Sequence, residues 1–271
     1  MGSSPMRDVL AAYPSLVRSS VLVAATYRGR LVLSVLTAFF PLLTMAVWLT
    51  VAAQGGPPAG WTTGNFLSYY AAATLMSNLY ADRVVWQWDA ELRSGDLSVR
   101  LLRPVHPFHQ YASADLGHRL VAMAVLVPAL MLAAVLVPGL DYPVGPLRLA
   151  AVATAMALAF AVSLLMASTF ALIGFWTTQA ANIWLLWWGL GAFASGWVAP
   201  LALMPDWLGR AALVLPFRTT MGFPVELLMG RLGPGETAYG FAVGIGWLAV
   251  FALLYRLAWR SGVRRYQAVA G

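Results

Sequence analysis

The chain has no cysteine and no lysine: all seventeen of its basic residues are arginine. Without a thiol there is no disulfide, thiolate nucleophile or iron–sulfur ligation, and the redox compartment leaves no trace. Without lysine there is neither a Schiff base nor a phosphate-binding P-loop lysine. Three histidines leave little for metal chemistry. Charge is also scarce, at 10% of 271 residues, where a water-soluble domain carries about a quarter. What is abundant is apolar: 61% of residues are hydrophobic and the mean hydropathy is +0.74. That is the composition of a bilayer protein. No internal repeat or low-complexity tract stands out.

Six apolar runs are predicted to span the membrane, at about 20 residues per crossing. They are residues 31–53, 66–85, 120–137, 147–175, 183–203 and 238–257, separated by turn residues or charges. The first is a span and not a cleavable signal peptide, because Gln54-Gly-Gly-Pro-Pro58 forms a turn beyond it. Arginine near span ends resists translocation. With the N-terminus inside, thirteen of the seventeen arginines fall on the cytoplasmic side, leaving Arg148, Arg210, Arg218 and Arg231 outside. Both termini are therefore expected in the cytoplasm, and a net charge of +7 needs no nucleic acid to explain it. A short basic tail, residues 258–271, is expected to follow the last span.

Three stretches interrupt the bundle. Met6, Val9, Leu10, Tyr13, Leu16 and Val17 recur at helical spacing with Arg7 and Arg18 off the stripe, which predicts an interfacial helix within residues 1–30, restarted at Pro14. Residues 82–118 hold five acids (Asp82, Asp89, Glu91, Asp96, Asp115) and four arginines. Prolines 200, 205, 216 and 224 cut the stretch before the last span into short apolar pieces, near Trp207–Leu215 and Phe223–Met229. Neither can cross alone, so both are expected to be re-entrant or interfacial half-helices on the outer side.

Most chemistries fall away. The predicted spans carry hydroxyls and one amide (Thr37, Thr44, Ser68, Ser77, Asn78, Thr154, Ser163, Ser168, Thr169, Ser195 among them), which bond neighbouring backbone and cannot relay protons. This disfavours an ion-coupled carrier. His106, His109 and His118 are expected to be solvated loop residues, since Pro107 separates the first two and a zinc site wants three or four closed ligands. Ser195-Gly196 has no base on its side of the membrane. Gly189, Gly191, Gly240, Gly244 and Gly246 suit close helix packing or a dimer seam, and Trp184, Trp187 and Trp188 suit interface anchoring.

The specialised stretch runs from Trp86 to Pro104. Trp88 and Leu92 share a helical face with Val85, whereas Asp89, Glu91 and Arg93 point elsewhere, and Gly95 suits a helix C-terminus. A short amphipathic cytoplasmic helix follows. It either lies on lipid headgroups or docks a partner, and its mixed charges favour the partner, because lipid-binding helices are mainly basic.

The run Glu91-Leu-Arg-Ser-Gly-Asp-Leu-Ser-Val-Arg-Leu-Leu-Arg-Pro-Val-His-Pro107 resembles the first cytoplasmic loop of ABC-2-type permeases, the six-span membrane subunits of ATP-binding-cassette transporters. Ser195-Gly-Trp-Val-Ala-Pro-Leu-Ala-Leu-Met-Pro-Asp-Trp-Leu208, Leu215-Pro-Phe217, Pro224 to Gly230, and Tyr27-Arg28 resemble the same family. The likeness covers essentially the whole chain. It implies an all-α polytopic fold in the bacterial inner membrane, with six spans, an N-terminal interfacial helix, a coupling helix and outer half-helices before span six. It also implies that this chain binds no cofactor. ATP and Mg belong to two copies of a cytoplasmic ATPase, and a second permease chain, in a heterodimer more readily than a homodimer, completes the transporter beside membrane lipid. Carried over by position, Trp86, Trp88, Asp89, Glu91, Leu92, Arg93, Gly95 and Leu97 form the coupling helix. Thr177, Thr178, Gln179 and Asn182 form a smaller second contact. The expected function is export of an amphipathic or hydrophobic substrate; the alternative is a non-transporting scaffold or accessory subunit.

Overall fold

A computed structural model describes residues 13–22, 40–56, 60–80, 83–143 and 145–270. The predicted stripe at Met6–Leu10, the first part of span one, the Tyr27-Arg28 pair and Asp82 lie outside the described residues. Those described form helices and turns, with no strand. In order they are α1 (residues 13–22), α2 (Phe40–Gly55), α3 (Thr63–Ser77), α4 (Arg83–Ser94), α5 (Asp96–Leu101), α6 (Pro107–Leu136) and α7 (Pro146–Ala171). A 3-10 turn (Leu172–Phe175) extends α7. Then follow α8 (Ala180–Ala194), a second 3-10 turn (Leu201–Leu203), α9 (Asp206–Val214), α10 (Pro216–Thr220), α11 (Gly222–Leu228) and α12 (Pro234–Ala270).

Among the described residues three helical stretches are long and apolar enough to cross a membrane: Pro107–Leu136, Pro146–Phe175 and Pro234–Tyr266. Phe40–Val51 and Ala180–Ala194 are apolar but shorter. Helix starts follow local chemistry. Thr62 accepts a hydrogen bond from the Asn65 N–H at 3.2 Å ahead of α3. Proline opens α6, α7, α10 and α12, where its missing N–H costs nothing. The Glu236 carboxylate accepts the Gly233 N–H at 2.8 Å at the start of α12.

Several boundaries differ from the sequence expectation. The second predicted span ends early, since α3 stops at Ser77 and a turn follows. The fifth stops at Ala194, where Gly196 turns the chain at φ +91° and Tyr69 and Tyr70 donate to the carbonyls of Gly196 and Val198. The third begins thirteen residues early, because charge does not end the helix: Asp115, His118 and Arg119 are buried within α6, with Arg119 Nε 3.4 Å from Asp115 and its NH2 donating to the Tyr80 carbonyl at 2.6 Å. The residues of the expected basic tail continue the last helix, since α12 runs unbroken to Ala270, about 55 Å at 1.5 Å per residue. The two predicted half-helix pieces are three helices, α9 to α11.

Two apolar cores sit at opposite ends of α7. One gathers Trp61, Phe66, Tyr69, Tyr70, Val152, Ala155 and Phe223. The other gathers Val85, Trp88, Tyr111, Leu172, Phe175, Trp184 and Tyr255. Around the second, the end of α12 meets α4 and the start of α6, with Trp259 4.4 Å from His106 and 6.0 Å from Trp88 between ring centroids. Tyr13 of α1 reaches His109 at 3.4 Å, and Gly117 leaves room for Ser20, so α1 turns its half-buried face to α6. The arginine-rich segments thus converge on one end of the molecule, called here the basic end. At the far end, α10 and α11 form a buried wedge between α7 and α12. Small residues admit it: a Cβ on Gly191 would lie 2.6 Å from the Phe217 ring, one on Gly244 2.6 Å from Leu158, and Gly240 seats Phe223. Gly189 and Gly246 face open space.

Candidate functional site

The basic end is built around α4. Its stripe of Val84, Val85 and Trp88 is buried, and the Trp88 ring, 2% exposed, packs on Tyr111 (5.6 Å), on Phe175 (5.4 Å, perpendicular) and on Trp259. Gly174 lets Leu92 sit close beside this cluster, since a Cβ there would lie 3.0 Å from the Leu92 side chain. Asp89, also buried, pairs with Arg93 one turn on, and Arg93 stands in solvent. Gly95 takes φ +83°, a left-handed turn that ends α4 and redirects the chain into α5, where Leu97 is buried.

Glu91 locks this bent pair of helices. It accepts from Arg100 Nε at 2.6 Å and from the second Arg100 nitrogen, from the Tyr111 hydroxyl, and from Gln87 Nε2 at 3.0 Å. Burial opposes its ionisation, yet the hydrogen bonds from Arg100 and Tyr111 and the Arg100 charge outweigh it and hold the carboxyl below the usual carboxylate range. Arg100 also lies 4.2 Å over the Tyr111 ring. Gln110 of α6 donates to the carbonyls of Val105 (2.7 Å) and Arg100 (3.3 Å), which seals the loop between α5 and α6.

The structure therefore divides the eight α4–α5 candidates. Trp88, Asp89 and Leu97 are buried in the chain's own fold, Glu91 and Leu92 are half-buried, and Trp86, Arg93 and Gly95 are exposed. The Trp88–Leu92 face, expected to point at a partner, points inward onto Phe175 and Gly174. Two exposed residues escaped the sequence reading: Val99, 58% exposed, and Leu102, 87% exposed. The Gly95 turn resets the helical register, so no single stripe drawn through the run finds them. Of the second set, Thr178, Gln179 and Asn182 are exposed and Thr177 half-buried. The Thr177 hydroxyl accepts from the Gln179 N–H at 3.2 Å, and Asn182 donates to the Gln179 side chain at 3.1 Å, an ordered turn into α8. This turn adjoins the α4 surface, because the 3-10 turn before it is the one that Trp88 packs on.

The histidines are not solvated loop residues. His106 caps α6, its Nδ1 accepting from the Phe108 N–H at 3.2 Å, and stacks near Trp259 and Tyr255; burial first, then the His109 charge, push it below the ordinary imidazole value. Among the described residues no three metal-ligating side chains come together. Ser195 Oγ sits 3.3 Å from both the Ala192 carbonyl and the Trp197 N–H, completing a turn.

A bundle with span-length apolar helices and one basic, aromatic-braced end is a multi-pass membrane protein. A family model described as ABC-2 family transporter protein matches residues 38–270, and the chain belongs to that family. It is thus a membrane component of a transporter, not itself catalytic, in a family that works with an ABC ATPase. No curated protein matches it.

Proposed function

We propose that this chain is the permease subunit of an exporter in the bacterial inner membrane, with six spans and both termini in the cytoplasm. A partner ATPase, present in two copies, binds ATP and Mg and drives it; a second permease chain, identical or not, completes the path. The substrate is amphipathic or hydrophobic. The observation that carries the reading is that the braced α4–α5 segment exposes apolar Trp86 (48% exposed), Val99 and Leu102 as well as charged Arg93 and Asp96. Exposed apolar side chains on a charged segment suit a protein partner better than water. The buried residues Trp88, Asp89 and Leu97 brace this segment, so movement of a docked ATPase is passed to α6, α7 and α12 through the Trp88 cluster. The turn at Thr177–Asn182 adds a flanking contact.

Co-purification of the ATPase encoded beside this gene tests it. Val99→Asp with Leu102→Asp is expected to weaken assembly about tenfold or more and to abolish permease-stimulated ATP hydrolysis. Unchanged assembly and stimulation would overturn the docking assignment. Assembly that hydrolyses ATP without moving any lipophilic probe across liposomes would favour the scaffold alternative.

A further inference from the structure

The far end holds a chamber of about 700 Å³, bounded by Trp61 and Tyr69 near α3, by the Leu201 turn and α9, by the wedge of α10 and α11, and by the start of α12. That is the size of a small-molecule site. Its walls carry three arginines and three carboxylates. Arg218 and Glu226 form the floor, 2.6 Å apart with side chains 8% and 16% exposed. Arg231 lies 3.9 Å over the Trp61 ring, which fixes its guanidinium at the wall. Glu236 accepts the Gly233 N–H with one carboxylate oxygen. Asp206 and Arg210, one turn apart on α9, are exposed at the rim and make no ion pair among the described residues. Leu201 and Leu213 supply apolar lining.

The floor pair neutralises itself, but the remaining wall and rim hold both signs, in Arg231 and Arg210 and in Asp206 and Glu236, so a ligand of one sign would meet groups of its own sign. A ligand carrying both signs satisfies both walls, and the apolar lining accommodates a hydrocarbon portion. We propose that this chamber binds a zwitterionic group, cation and anion on one molecule, at the point where the transported molecule leaves the bundle. The inference rests on the permease reading and its sidedness above, and it narrows the substrate class.

The test uses the full chain purified in detergent without ATPase, titrated calorimetrically with dihexanoyl-phosphatidylethanolamine, the anionic dihexanoyl-phosphatidylglycerol and the tail-less glycerophosphoethanolamine. The phosphatidylethanolamine is expected to bind, with Asp206→Asn and Arg210→Gln each raising Kd about tenfold and Asp206→Glu and Arg210→Lys restoring most of it. Both neutralised residues sit at the exposed rim of α9, so folding is not at stake. Equal binding of the tail-less compound supports the charge assignment and identifies a soluble zwitterion; weaker binding identifies the lipid. Phosphatidylglycerol binding as tightly as phosphatidylethanolamine, or neutralised variants binding like the parent, would overturn it. Because ATPase is absent, failure here leaves the docking assignment standing, and failure of docking leaves this result unchanged.

Discussion

The two ends of the molecule each hold an arginine–glutamate pair joined across a sharp turn, nine residues apart in Glu91–Arg100 and eight in Arg218–Glu226, yet the two pairs sit in opposite surroundings. At the basic end Glu91 is saturated by Arg100, Tyr111 and Gln87 and backs onto a packed aromatic cluster, so the pair stiffens a bent helix whose tips face outward. At the far end the pair is the floor of an open chamber. The same chemistry thus serves as a clamp in one place and as a wall in the other. What distinguishes them is how many further partners each carboxylate has.

The largest expected effect breaks that distinction at its floor. Glu226→Ala leaves the buried Arg218 without its ion-pair partner and is expected to lower stability by about 3–5 kcal/mol, whereas Glu91→Ala, which leaves Arg100 within reach of Gln110, is expected to lower it by about 1.5–3 kcal/mol. Thermal unfolding of the detergent-purified variants measures both, and equal losses would remove the contrast. Next come the glycine seats. Gly240→Ala at the Phe223 contact and Gly262→Ala at the Phe175 contact are each expected to cost about 1–3 kcal/mol by overpacking. Gly246→Ala, with open space beyond it, should be neutral or slightly stabilising, within about 0.5 kcal/mol. A loss at Gly246 equal to the others would mean that an unseen neighbour fills that face.

The smallest effect sharpens the clamp. The folded-state pKa of Glu91 lies below the ordinary value of 4.5, so its contribution is present above that value and is lost as pH falls through the folded pKa. The melting temperature of the parent chain should decline with acidification through this window more steeply than that of Glu91→Gln. Parallel profiles would show that the carboxylate contributes nothing as an ion.

Much of this arrangement is visible in the residues alone. The apolar runs mark the membrane helices, the arginine distribution marks one end as distinct, the prolines mark the broken segment before the last helix, and Gly95 marks the end of α4. Other features resisted. The charges at Asp115, His118 and Arg119 look like loop residues because charge ordinarily stays in water, but the Arg119–Asp115 pair and the bond from Arg119 to the Tyr80 carbonyl help to admit them inside α6. Val99 and Leu102 were hidden because the register changes at Gly95. Arg218 and Glu226 lie on different short helices, so no helical spacing pairs them.

Composition and periodicity thus suffice for membrane residence, for an all-helical fold though not for the helix ends, and for the amphipathic character of α4, because each depends on the residue and its near neighbours. Which way the Trp88 stripe faces is not a local property. An apolar stripe has the same spacing whether it meets a partner or the chain's own Phe175 and Trp259, and only the packing of distant segments against α4 resolves it. The chamber has the same origin: its charges come from α9, α10, α11, the loop after it and the start of α12, and they meet because the small residues of α8 and α12 admit the wedge that carries Arg218 and Glu226.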